Sequence, residues 1–187
     1  MSKAEQFLSE GFKNRGKLGR QRVARERLLR WSILQHYEVC ATPLLDVTHS
    51  LRIAASFASL AGGNQVFLYV VAVPNLSGAI TANAEGGLQV VRLASVCPPA
   101  AIRPHIQEGY LIGEYPEMVG ITQSRHYKRY EMDVGRRIVA KFHFNPGTFW
   151  CDANFPPITK EALYPRDLGW LETLTAEIAD KIKIDPV

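Results

Sequence analysis

A chain of 187 residues, 47% hydrophobic and 21% charged, is long enough for one sizeable core and too apolar to stay disordered, so a single globular unit over residues 1–187 is expected. No apolar run approaches the roughly 20 residues that cross a bilayer, and the start, MSKAEQFLSEGFKNRG, has no apolar region ahead of a small-residue cleavage site; the expectation is a cytoplasmic protein without membrane contact. The net charge of +4 is uneven: nine of the 22 Lys and Arg fall in residues 1–30 against three of the 18 Asp and Glu, which puts +6 there and leaves −2 elsewhere.

Taken in chain order, residues 2–13 read as a helix, with Ser2 as cap, Glu5 three residues on, and Phe7, Leu8 and Phe12 as its apolar stripe. After Gly16 and Gly19 a second helix is expected over Gln21–Tyr37, apolar through Val23, Leu28, Trp31, Ile33 and Leu34 and basic on its outer face. That basic segment leaves a nucleic-acid partner open, but no aromatic interleaves its charges as in single-strand binders, so a solvated helical face is the simpler reading. Pro43 stops any continuation. Ser50–Leu60 then spaces small and apolar residues as a helix that can pack closely on a sheet, and Gly62-Gly63 ends it.

The run QVFLYVVAVP, Gln65–Pro74, is apolar and β-branched without alternation, which predicts a central strand buried on both faces. LQVVRLASV (Leu88–Val96) and GYLIGEYP (Gly109–Pro116) read as further strands, and RRIVAKFHF (Arg136–Phe144) alternates as a half-exposed one. A short helix from Lys160, a stop at Pro165 and a terminal amphipathic helix through Trp170, Leu171, Leu174 and Ile178 complete the chain. Helices, then strands, then helices predict an α+β fold with a mixed or antiparallel sheet core flanked by helices.

Cys40, Cys97 and Cys151 are widely spaced and form no CxxC pair, so neither a disulfide framework nor a zinc cluster is indicated and buried thiols are expected. His105, His126 and His143 are too scattered for a metal site. Cys40 four residues after His36 has the spacing of a thiol–imidazole pair, but apolar neighbours and the lack of an orienting carboxylate argue against a nucleophile.

The stretch from Gln35 to Ser50 concentrates reactive side chains immediately before an apolar helix. LQHYEVCATPLLDVTHSLRIAASFA (Leu34–Ala58) resembles the FRG domain pattern, in which Gln-His-Tyr-Gly leads through Pro-Thr-x-Leu-Leu-Asp-x-Thr into an Ala-x-x-Phe-Ala helix. RPHIQEGYLI (Arg103–Ile112) is similar to the second block of that family, and ITKEALYPRDLGWLETL (Ile158–Leu174) to its closing aromatic-Pro-x-x-Leu-x-x-Leu segment. The chain departs from the pattern at Glu38, where the family prefers Gly, at Val47, where it prefers Trp, and in the shifted Thr42-Pro43-Leu44. The Phe/Tyr-Arg-Gly strand that names the family has no counterpart ahead of FLSEGFKNR.

The resemblance implies a fold similar to the Arg-Ser-Glu type of ADP-ribosyltransferase, with a split sheet and NAD as the substrate to be tested. On that implication Asp46, Thr48 and Gln107 are the candidate catalytic residues and Gln35, His36, Tyr37 and Arg103 the candidate nucleotide contacts, with no metal. The other readings stay beside it. Thr48 and Ser50 can cap the following helix, His36 can be a structural imidazole, Gln107 can tie a loop amide and Arg103 can pair a carboxylate. Glu108 falls at a variable position of its block. Two functions are therefore expected: an enzyme that transfers or hydrolyses ADP-ribose, or a non-catalytic binding module whose missing strand comes from a protein partner.

Overall fold

The computed structural model describes residues 1–83, 87–114, 135–165 and 169–184. Three helices open it: α1 (Ser2–Asn14), α2 (Arg20–Arg25) and α3 (Arg27–His36). Met1, not Ser2, stands at the cap of α1, and no side chain bonds there. Glu5 turns inward instead of closing a capping box. It is buried, accepts a hydrogen bond from the indole Nε1 of Trp31 at 2.9 Å, and lies 3.2 Å from the guanidinium groups of both Arg27 and Arg30.

The same ion cluster explains why the expected Gln21–Tyr37 helix is two helices. The backbone is extended at Glu26 (φ −100°, ψ 107°). Arg30 folds back across this break, and its Nη1 donates to the carbonyls of Val23 and Ala24 at 2.8 and 3.1 Å, satisfying the last turn of α2. Other basic residues of the N-terminal segment are likewise engaged within the chain: Arg15 pairs with Glu177 at 2.9 Å and Arg22 with Glu26 at 3.4 Å.

β1 (Leu45–Thr48), β3 (Ile80–Asn83), β4 (Leu88–Arg92) and β5 (Gly109–Glu114) form one antiparallel sheet in the order β1-β5-β4-β3. β2 (Val66–Val71) and β6 (Ile138–Phe144) form a separate antiparallel ribbon, irregular between Val70 and Val71. α4 (Leu51–Leu60) follows β1, and α5 (Leu93–Val96) and α6 (Ile102–Ile106) lie between β4 and β5. α7 (Pro146–Phe149), α8 (Lys160–Leu163) and the long α9 (Trp170–Ile184) close the chain. The fold is α+β, and every described strand pair is antiparallel.

The main core joins Leu8 and Phe12 of α1, Trp31 and Leu34 of α3, Val91 and Leu111 of the four-stranded sheet, and Leu171 and Leu174 of α9. α1 and α9 approach closely at Gly11, where a Cβ would stand 2.5 Å from Cδ1 of Leu174. Among the described residues no helix is long and apolar enough to cross a membrane.

Three expectations need correction. Val66–Val71 is a strand but not a central one: it pairs with β6 alone among the described strands, and Phe67 and Tyr69 are 48% and 53% exposed. Its apolar run reflects the ribbon's packing along the open groove beside β1, not burial on two faces. Leu88–Val96 is a strand only to Arg92 and then coils into α5, while Tyr115 and Pro116 of the expected Gly109–Pro116 strand lie outside the described residues. Of the three thiols, Cys97 is buried, Cys40 partly so and Cys151 exposed.

Two outcomes are expected. Glu5→Ala, which removes the acceptor of the Trp31 N–H and the buried carboxylate facing Arg27 and Arg30, lowers stability by about 3 kcal/mol, measured by denaturant unfolding. Burial pushes the Cys97 thiol up to about 12, so thiol labelling of the native protein at pH 8 modifies Cys151 first and Cys97 only on unfolding.

Candidate functional site

The end of α3 sets the site. Val39 N–H donates to the Leu34 carbonyl at 2.8 Å and Glu38 N–H to the Gln35 carbonyl at 2.9 Å, with Glu38 in the left-handed conformation at φ 57°. This is a Schellman turn, whose left-handed position normally holds Gly because a Cβ there is strained. It stops the helix one residue after His36 and turns the chain through Pro43 into β1, so that Gln35 and His36 face Asp46 across the turn.

These side chains are joined in a relay. The hydroxyl of Thr42 donates to Oε1 of Gln35, and Nε2 of Gln35 donates to Oδ2 of Asp46 at 3.0 Å and to the Leu44 carbonyl at 3.2 Å. The other Asp46 oxygen lies 3.2 Å from Nε2 of His36. That contact lacks hydrogen-bond alignment, so Nε2 has a carboxylate nearby but no hydrogen-bond partner. The imidazole side chain is 5% exposed and the Asp46 carboxylate 50%. The carboxylate therefore opens to solvent while its neighbours are anchored in the core.

The second block meets the first along β1–β5, where Thr48 is in register with Gly109. The Thr48 hydroxyl donates to the Glu108 carbonyl at 3.3 Å and accepts from the Ser50 N–H at 3.1 Å. Ser50 in turn caps α4 by accepting from Ile53 N–H. Glu108, at φ 46°, ends α6 in the left-handed region, and its carboxylate lies 2.9 Å from His49 Nε2. Gly109 must be small: a Cβ would stand 2.8 Å from Leu93 and 3.7 Å from the His36 ring.

The third block supplies one wall. Arg52 donates to the Pro156 carbonyl at 2.7 Å, the Ile158 N–H donates to Ser56 at 2.9 Å, and the Trp150 indole donates to Ser59 at 3.0 Å, so one face of α4 fastens the segment that leads to Tyr164. The Tyr164 ring meets Phe57 edge to face at 5.7 Å. Its phenol is pushed up from the ordinary tyrosine value, first by burial, then by the Glu38 carboxylate, with Arg103 acting against and Asp46 adding to the rise.

Together these residues enclose a cleft of about 490 Å³ lined by Gln35, His36, Glu38, Asp46, Thr48, Phe57, Tyr69, Gln107 and Tyr164, among others. No family model, no curated protein and no solved structure matches the chain significantly. The cleft must be read from its own chemistry.

Five of the seven residues singled out in the sequence line it: Gln35, His36, Asp46, Thr48 and Gln107. Gln107 is buried and its amide donates to the Leu163 carbonyl at 2.9 Å, tying the second block to the third. Tyr37 and Arg103 stand behind the cleft. Arg103 donates to the His36 carbonyl at 3.3 Å and lies between the rings of Tyr37 and Tyr164, 5.4 and 5.7 Å from their centres, while the Tyr37 hydroxyl meets the Ala100 carbonyl at 3.4 Å. They position the turn from outside the cavity. Glu38, Phe57, Tyr69 and Tyr164 were not singled out, although Tyr164 is the aromatic of the third matched block.

Replacing Glu38 by Gly removes a left-handed side-chain penalty of about 1–2 kcal/mol and adds unfolded-state entropy of about 0.5–1 kcal/mol. Glu38→Gly is therefore expected to raise stability by up to about 1 kcal/mol in chemical denaturation.

Proposed function

We propose that this cleft binds NAD or a closely related nucleotide by its N-glycosidic end and breaks the bond between the ribose C1′ and the nicotinamide nitrogen. The observation that carries the reading is Asp46, a half-exposed carboxylate fixed on one oxygen by Gln35 and faced on the other by His36. N-glycosidic cleavage develops positive charge on the sugar, and a carboxylate already oriented stabilises that charge without reorganising.

The bonding pair leaves with the nicotinamide, whose ring nitrogen passes from cationic to neutral. Water or an acceptor hydroxyl adds to C1′, and its proton passes to Asp46 or through it to His36. Water gives ADP-ribose; an acceptor gives the ADP-ribosylated product. His36 Nε2, which faces Asp46 at 3.2 Å without a hydrogen-bond partner, suits a ribose hydroxyl, and the rings of Phe57, Tyr69 and Tyr164 suit the leaving base. The likeness of three ordered blocks to the FRG pattern, and a cleft flanked by a four-stranded and a two-stranded sheet, support an ADP-ribosyltransferase-like reading.

A second reading, a non-catalytic binding module, draws support from the polar groups of the site being satisfied by one another. Thr42, Gln35 and Asp46 form a closed relay, Thr48 bonds a backbone carbonyl and so does Gln107. On this reading the exposed β2–β6 ribbon receives a strand from a partner protein.

The experiment is thermal unfolding with and without millimolar NAD, followed by detection of nicotinamide in the same sample. NAD at 100 times its dissociation constant adds about 2.7 kcal/mol and moves the midpoint by a few degrees. Release is expected in the native chain and is expected to be lost in Asp46→Asn and reduced in Thr48→Ala, with circular dichroism unchanged. A midpoint shift without release favours the binding module, and release that survives Asp46→Asn removes Asp46 from the reaction.

A further inference from the structure

The charge of the cleft names the part of the ligand it recognises, given the nucleotide reading above. We infer that the cleft selects a planar organic cation, the ribosylated pyridinium of oxidised NAD. Two carboxylates, Glu38 and Asp46, line the same cavity as three aromatic side chains, Phe57, Tyr69 and Tyr164. Carboxylates beside aromatic rings are the combination that binds a flat, weakly hydrated cation, here chiefly by direct charge attraction, since Arg103 and Lys141 already lie over the Tyr164 and Tyr69 rings, 5.7 and 5.3 Å from their centres.

Among the described residues no Lys or Arg lines the cavity. Arg103 stands behind it: its Nη1 donates to the His36 carbonyl and its guanidinium lies between the Tyr37 and Tyr164 rings, with Nε buried and without a hydrogen-bond partner.

A second feature, the imidazole that faces Asp46 Oδ1 at 3.2 Å, marks the cavity as a ligand site. His36 is more than nine-tenths buried, yet its Nε2 lacks a hydrogen-bond partner. A buried polar atom left open at the wall of a cavity is accounted for by a group that arrives with the ligand, and a ribose hydroxyl next to the pyridinium supplies one. The carboxylates are felt at Tyr164, whose phenol is pushed up from the ordinary tyrosine value first by burial and then by Glu38, with Arg103 acting against and Asp46 adding to the rise.

Equilibrium titrations of the full chain with oxidised NAD, reduced NAD, ADP-ribose and 1-methylnicotinamide test this. The expected result is binding of oxidised NAD and of 1-methylnicotinamide, with reduced NAD and ADP-ribose about tenfold weaker than oxidised NAD, since neither carries the ring cation. Glu38→Gln, which keeps shape and backbone and removes one charge, is expected to narrow the gap between oxidised and reduced NAD about threefold. ADP-ribose or reduced NAD binding as tightly as oxidised NAD overturns the cation selectivity and leaves the nucleotide reading standing. Binding of 1-methylnicotinamide with none of the three nucleotides upholds the cation site and overturns the nucleotide reading. No binding by any probe overturns both.

Discussion

The left-handed turn at Tyr37–Val39 is the constraint from which the rest of the cleft follows. α3 is nearly all core, with Leu28, Leu29, Trp31, Ile33 and Leu34 buried, so its orientation is fixed before the turn begins. The two crossing hydrogen bonds from Glu38 and Val39 then end it at a defined residue. One more helical residue would redirect the chain that follows and carry β1 away from Gln35 and His36. Arg103 adds a clamp from outside by bonding the His36 carbonyl, so the last turn of the helix is tied to the second block as well as to its own core.

The cleft is built by convergence of segments distant in the chain, each delivered by a different device. Asp46 arrives on a strand held by β5, Gln107 at the end of a five-residue helix, and Tyr164 on a segment fastened to serines of α4. The left-handed conformation recurs at Glu38 and Glu108, each just past a helix end. At both places the turn exchanges local backbone strain for a sharp change of direction, a common arrangement where side chains must meet at one point.

What could be read from the sequence depended on whether a feature was local. α1, α4 and α9 were legible because their apolar spacing is helical and their packing agrees with it, and Gln35, His36, Asp46 and Thr48 were legible because they lie within one short polar stretch. The division of α2 from α3 was not: the apolar pattern runs on through Glu26, and the break exists because Arg30 reaches back to carbonyls of the preceding turn. The exposure of β2 was hidden for a related reason. An apolar run states that a strand prefers to be covered, but the number of neighbouring strands is a property of the whole topology. Glu38 stood in the sequence only as a departure from the Gly of the family pattern and Phe57 as one apolar residue of a helix; the turn and α4 place both on the cavity wall.

The ribbon of β2 and β6 carries one further consequence, for the behaviour of the protein in concentrated solution. Tyr69 is in register with Lys141, and the Lys141 ammonium stands over the rings of both Phe67 and Tyr69, 4.5 and 5.3 Å from their centres. An exposed aromatic strand pair is a template for stacking between molecules, and a lysine at its middle interrupts that template by charge and by the water it holds. Lys141 thus acts as a gatekeeper. Colloidal stability at this face draws on one flexible side chain, and chemistry that neutralises lysines, such as acetylation, would erode it.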